Sequence, residues 1–138
     1  MANPILGTTL MSVPVTALYG AFSALILVAL GINVSRVRGK YKTFRGDGGH
    51  VELQGAIRAH GNATEHVPLM LILLLVAELC GGSSTVLHIF GGAVVVARLL
   101  HAGGLMGSIQ AAQISGALGT YLIEAGLAIY ALVLRPWG

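Results

Sequence analysis

Thirty-five residues pass at the start of this chain, Met1 to Ser35, before the first charged side chain appears. A bilayer core of about 30 Å needs roughly 20 helical residues to cross it. The stretch from Val13 to Val34 is uncharged throughout and long enough to cross, so it is predicted as span one. It lacks the Lys or Arg that opens a secretory signal, and its apolar run is too long for a signal core, so it reads as a retained span. The rest of the chain follows suit. Only 9% of the 138 residues are charged, against 55% hydrophobic, and mean hydropathy is +0.82. About 25% charge is usual for a soluble domain. A soluble enzyme and a disordered chain are both excluded on these grounds.

Three further spans are predicted. The clean apolar run Val67 to Ala77 covers eleven residues, or about 16 Å of helix at 1.5 Å per residue, too short to cross. Span two must therefore start near residue 51 and run to 80, which draws its polar residues to the membrane surface or below it. Pro68 inside it predicts a kink that neighbouring helices can absorb. Span three is expected over 85–106 and span four over 114–134, ended by Arg135-Pro136. Arg36, Arg38, Lys40, Lys42 and Arg45, closed by Gly46-Asp47-Gly48-Gly49, read as a basic loop, and Gly103-Gly104 with Gly107-Ser108 as a turn. Gly91-Gly92-Ala93 and Gly116-x-x-Gly119 favour close helix approach. The expected fold is all-α: residues 1–138 form a single integral membrane four-helix bundle.

Five of the eight Lys and Arg residues lie between spans one and two. By the positive-inside rule that loop is cytoplasmic and both termini lie outside. This placement explains the pI of about 9.4 without a nucleic-acid partner. The single cysteine, Cys80, can form no internal disulfide, and His50, His60 and His66 have no spacing that suggests a metal site.

The chemistry is concentrated where span two enters the membrane. At 100° per residue Arg58, Asn62 and Glu65 fall within about 60° of each other, Gln54 extends the stripe, His66 lies on its flank and His60 on the far side. Ionisable groups at membrane depth cost about 2.5–3.5 kcal/mol each, so they face the bundle interior and pair with one another or with a ligand. Two readings follow. Arg58 and Glu65 could pair and lock helix to helix. Or the three residues could line a pocket for a zwitterionic or anionic molecule, with Arg taking a carboxylate, Asn donating or accepting, and Glu taking an ammonium. Arg36 and Arg38 close span one at the same face, as topology signals or as added positive charge. Arg98 and His101 share a face near the end of span three. Glu124, mid-span in helix four with Tyr121 one turn before it, must be paired or protonated. Glu78, near the outer end of span two, reads as solvated.

The run Arg58, His60, Asn62, Glu65 and Pro68, entering the second of four spans after a basic loop, resembles the MAPEG superfamily of membrane-associated proteins in eicosanoid and glutathione metabolism. Gly46-Asp47-Gly48-Gly49 followed by Glu52-Leu53 gives the resemblance a bacterial character. It covers nearly the whole chain in length, topology and loop charge. It implies a homotrimer in a bacterial inner membrane, with glutathione as co-substrate lying between subunits near the cytosolic face, and a lipophilic molecule or lipid as the second partner. By position, Arg58, Asn62 and Glu65 match the motif's glutathione-binding residues, and Arg36 or Arg38 matches its helix-one arginine. His60 stands where members carry His or Gln, and His66 where many carry a tyrosine. The resemblance shifts the balance from a structural pair towards a ligand site. His101 and Leu105 replace two glutathione-contacting tyrosines. Ala112 stands where the leukotriene C synthase has its thiol-activating arginine, and no Lys or Arg lies between Arg98 and Arg135. The implied activity is glutathione transfer or lipid-peroxide reduction, with Arg98 or His101 favouring the thiolate. The alternative is a non-catalytic lipid or thiol-compound binder, like the five-lipoxygenase activating protein. A small multidrug exporter would want an acid in the first span, where this chain has none.

Overall fold

The computed structural model describes residues 12–136; Met1 to Met11, whose outside location the charge rule predicts, fall beyond them. Four helices follow in order: α1 (Pro14–Tyr41), α2 (Val51–Leu79), α3 (Ser84–Gly107) and α4 (Gln110–Leu134). All four are long and apolar enough to cross a membrane. Helices α2 and α3 form the middle of the bundle. Helix α1 lies against both on one side and α4 against both on the other, and α1 and α4 do not meet.

The first helix starts at Pro14, whose fixed φ suits a first-turn position. It runs seven residues past the predicted end at Val34. Arg36, Arg38, Gly39 and Lys40 are thus helical rather than part of a loop. Gly39 has open space where a Cβ would stand, so nothing there breaks the helix, and the charged side chains can reach water from its end. The helix stops at Lys42, which adopts a left-handed conformation (φ 51°). The remaining loop is short and tied down. Arg38 Nη1 donates to the carbonyls of Thr43 (3.3 Å) and Gly46 (2.9 Å). Tyr41 stacks on His50, its hydroxyl donates to Glu52 (2.7 Å), and Lys40 pairs with the same carboxylate.

Helix α2 begins at Val51, as the length argument requires, and continues unbroken through Pro68. The turn between α3 and α4 falls at Ser108-Ile109, not at Gly103-Gly104, which are helical. A Cβ on Gly104 would run into the backbone of Gln113, and one on Gly116 into the backbone of His101. These two glycines set how closely α3 and α4 approach, which explains Gly104 inside a helix. Helix α4 consequently begins four residues before the expected Ile114.

The core changes character along its length. Towards the α2–α3 turn it is built of large side chains, Met70, Leu74, Leu87, Val94 and Leu127. Towards the basic loop small residues, Ala56, Ala59, Ala63 and Ala102, alternate with Leu30, Val37 and Leu53. In oil the outer surface need not be polar, so Phe22, Leu25, Val28, Leu122 and Val133 stand exposed, and cohesion rests on packing and hydrogen bonds more than on apolar burial.

Glu78 is partly exposed, as its place near the helix end suggests, but it is also committed to a contact. Its carboxylate accepts from the backbone N–H groups of Val15 (2.9 Å) and Thr16 (2.7 Å). Helix α1 has no side-chain cap of its own. The end of α2 therefore supplies the anion that its first amides and its dipole favour.

Candidate polar site on the second helix

Ala56, Ala59 and Ala63, which pack this part of α2 into the bundle, lie on a different face from Arg58 and Glu65, with Asn62 nearest the boundary. That geometry turns the polar stripe outward along one side of the helix. Arg58, Asn62 and Glu65, with Ile57 and Gly61, line a hollow of about 250 Å³. A second hollow of about 330 Å³ shares Arg58 and is lined also by Gln54, Gly55, Leu105 and Gln113. Gly55 permits this closeness: a Cβ there would stand 2.8 Å from the Leu105 carbonyl oxygen. Arg58 and Glu65 do not pair with each other, and neither has a hydrogen-bond or ion-pair partner among the described residues. The helix-locking pair of the sequence reading is absent.

Asn62 is held from behind. Arg98, on α3, is 2% exposed, and its Nη1 donates to Asn62 Oδ1 at 2.6 Å. Its Nε and Nη2 have no partner among the described residues, while Glu124 and Tyr121 lie within electrostatic reach. Leaving donors of a buried cation unmet is costly. Arg98 thus joins the stripe through Asn62 and does not itself line either hollow.

The other sequence candidates are distributed around this centre. His101 is buried, and its Nδ1–H donates to the Gln113 carbonyl (2.9 Å); a carbonyl can only accept, so the proton position is fixed. His60 faces α1, with its ring against Gly31. His66 turns towards α4 and meets Glu124 through Nδ1 at 2.8 Å, with Tyr121 edge-on to its ring. Glu124 is therefore paired, as an acid at that depth must be. Arg36 hydrogen-bonds Asn33 Oδ1 through Nε and Nη2, and Arg38 holds the loop. Within one chain, then, Arg58, Asn62, Glu65 and Gln54 converge, Arg98 and His101 stand behind them, and His60, His66, Arg36 and Arg38 point elsewhere.

The sequence reading missed the Asn62–Arg98 and His66–Glu124 contacts. A depth count could have found the second. Helices α2 and α4 run in the same direction, and His66 and Glu124 lie fifteen and fourteen residues past their respective starts. On the other side of the bundle an apolar groove of about 420 Å³ runs between α1 and α3, lined by Ile26, Leu30, Asn33, Leu99 and Met106 among others.

Comparison with known proteins agrees with this architecture. The model of the MAPEG family matches residues 16–133. The chain is 37% identical over 123 residues to Inner membrane protein YecN of Escherichia coli strain K12, an alignment that covers 89% of this chain and 94% of that protein. Inner membrane protein YecN of Escherichia coli O6:H1 matches to the same extent. A family match across all four spans, with relatives aligned over nearly their full length, establishes that the chain belongs to the MAPEG family.

Proposed function

We propose that this chain is a bacterial inner-membrane protein that binds glutathione and uses it as a transferase or peroxidase towards lipophilic electrophiles. The observation that carries this reading is the pair of unpartnered, opposite charges, Arg58 and Glu65, flanking Asn62 on one hollow. Glutathione has carboxylates for Arg58, an ammonium for Glu65, and peptide groups for Asn62 and Gln54. The helix-one arginines do not reach this hollow within one chain. We propose that a homotrimer brings Arg36 or Arg38 of a neighbouring protomer to it, with the basic loop in the cytoplasm where glutathione is available. The name of the inner-membrane relative YecN supports the location. The apolar groove between α1 and α3 offers a lipid-side surface to a lipophilic partner.

In a transferase the thiolate sulfur attacks an electrophilic carbon and the leaving group departs. A free thiol has a pKa of about 8.5, and a nearby cation or strong donors are needed to bring it to neutrality. Arg58 is the cation on the hollow wall. Arg98 or His101, on α3 behind the hollow wall, is proposed to favour the thiolate through its charge or hydrogen bonds and not by contact with the ligand. One observation favours a second reading, a pocket that binds without activating: by the family resemblance Ala112 takes the place of the thiol-activating arginine, and no Lys or Arg lies between Arg98 and Arg135. Thiolate absorbance on mixing glutathione with the purified protein at pH 7, together with turnover of an aryl halide, decides between them. Both signals are expected of the enzyme. Binding with neither signal would leave only the binder.

A further inference from the structure

Arg98 is an unusual residue to find 2% exposed beside an amide. Its guanidinium reaches a single described acceptor, Asn62 Oδ1, at 2.6 Å. Arginine donates and never accepts. The oxygen of the Asn62 amide must therefore face Arg98, and Nδ2, on the other branch of the planar group, is left for the hollow that Asn62 lines with Arg58 and Glu65. A free asparagine could rotate and show the hollow either a donor or an acceptor. With its oxygen engaged by Arg98, this one keeps Nδ2 free of any described partner and able to donate.

We propose that Arg98 is a positioning residue: by holding the Asn62 oxygen it fixes the polarity of the hollow, so that Asn62 recognises an acceptor on the ligand, a carboxylate or carbonyl oxygen, and rejects a donor. The hollow then presents donors at Arg58 and Asn62 and an acceptor at Glu65. That order places the ligand's anionic or carbonyl oxygen towards Arg58 and Asn62 and its ammonium towards Glu65. The inference rests on the glutathione reading for its probe, but the state of the Asn62 amide is independent of any ligand. A purely structural Arg98 would tie α2 to α3 and nothing more. The two roles separate at Asn62→Asp. That variant keeps an oxygen on Arg98, so the interhelix tie survives, yet it turns the face towards the hollow from donor to acceptor.

The experiment uses the full-length protein in nanodiscs and reduced glutathione. Asn62→Asp should retain the wild-type melting temperature and bind glutathione about tenfold or more weakly, the loss expected when a charged or carbonyl acceptor meets no donor. Arg98→Met should weaken binding, Arg98→Lys should restore part of it, and Arg98→Met with Asn62→Ala should bind no worse than Asn62→Ala, since one residue acts through the other. In nitrogen-15 spectra with labelled asparagine, where only Asn3, Asn33 and Asn62 contribute, the Asn62 side-chain signal should shift in Arg98→Met and return towards its wild-type position in Arg98→Lys. Multiplying losses in the double variant would mean that Arg98 touches ligand directly and would overturn the proposal. So would an Asn62 signal indifferent to Arg98, or Asn62→Asp binding as well as wild type. Wild-type protein that binds no glutathione would remove the glutathione reading, and the Asn62 signal would then decide the role of Arg98 by itself.

Discussion

Individual side chains carry most of the fold's polar cohesion, because few are present and each is committed. Glu78 bridges the end of α2 to the bare start of α1. Loss of a helix cap costs about 0.5–2 kcal/mol, so Glu78→Ala is expected to lower the melting temperature by several degrees, with Glu78→Gln intermediate. Unchanged melting would show that the contact contributes nothing. His66 and Glu124 are each about one-fifth exposed, at 20% and 23%, so their pair is screened less than a surface pair and more than a buried one. Replacing His66 by Ala leaves the acid in the membrane without its partner and is expected to destabilise by about 1–3 kcal/mol. Glu124→Gln, which keeps a hydrogen bond, should cost less; thermal melts in the same detergent compare them. Of these contacts the sequence revealed the need and not the partner. An acid in mid-span announces that something must neutralise it. Which histidine does so depends on helix packing, and Glu78 looked ordinary because α1's missing cap is visible only once the two helix ends meet.

At the level of helices, small residues decide how closely the segments pack. Gly103 and Gly104 are neighbours in α3, yet a Cβ on Gly103 meets open space and one on Gly104 meets the Gln113 backbone. Gly103→Ala is therefore expected to be neutral or stabilising by up to about 1 kcal/mol through helix propensity. Gly104→Ala should destabilise the bundle or displace the start of α4, as read by melting temperature and hydrogen exchange at residues 109–116. Equal behaviour of the two would contradict the packing described here. The same two glycines explain why the predicted turn, correct at Gly107-Ser108, was started too early. A glycine pair followed by Gly107-Ser108 looks like a break in sequence, and only the neighbouring helix shows that it is a contact. The basic segment misled in the opposite sense. Its charges and the glycines that close it suggested a loop, but a helix leaving the membrane keeps its hydrogen bonds while its side chains reach water. The start of α2, by contrast, followed from length alone: eleven apolar residues cannot cross, so the polar stripe had to be helical and close to the bilayer.

For the whole molecule, four crossing helices, a basic loop at one end and a polar stripe beside it form one arrangement. The positive residues proposed to orient the chain stand at the same end as Arg58. A cysteine placed at Arg45 should be labelled by an impermeant thiol reagent only from the cytoplasmic side, in a background where Cys80 is replaced by Ser; labelling from outside would reverse the proposed orientation. Composition, span count and the motif made this architecture legible from sequence. The assembly was not, since it is the surface of one chain against another that would complete the site. The central claim is that Arg58 and Glu65 lie unpaired on either side of Asn62 in one hollow because that hollow takes a small zwitterion. Titration calorimetry of glutathione into the wild-type protein and into Arg58→Ala tests this most directly. Saturable binding is expected, weakened by about tenfold or more in the variant, as for loss of a hydrogen bond to a charged group, with the melting temperature unchanged. Absence of binding to the wild type, or equal binding to both proteins, would contradict it.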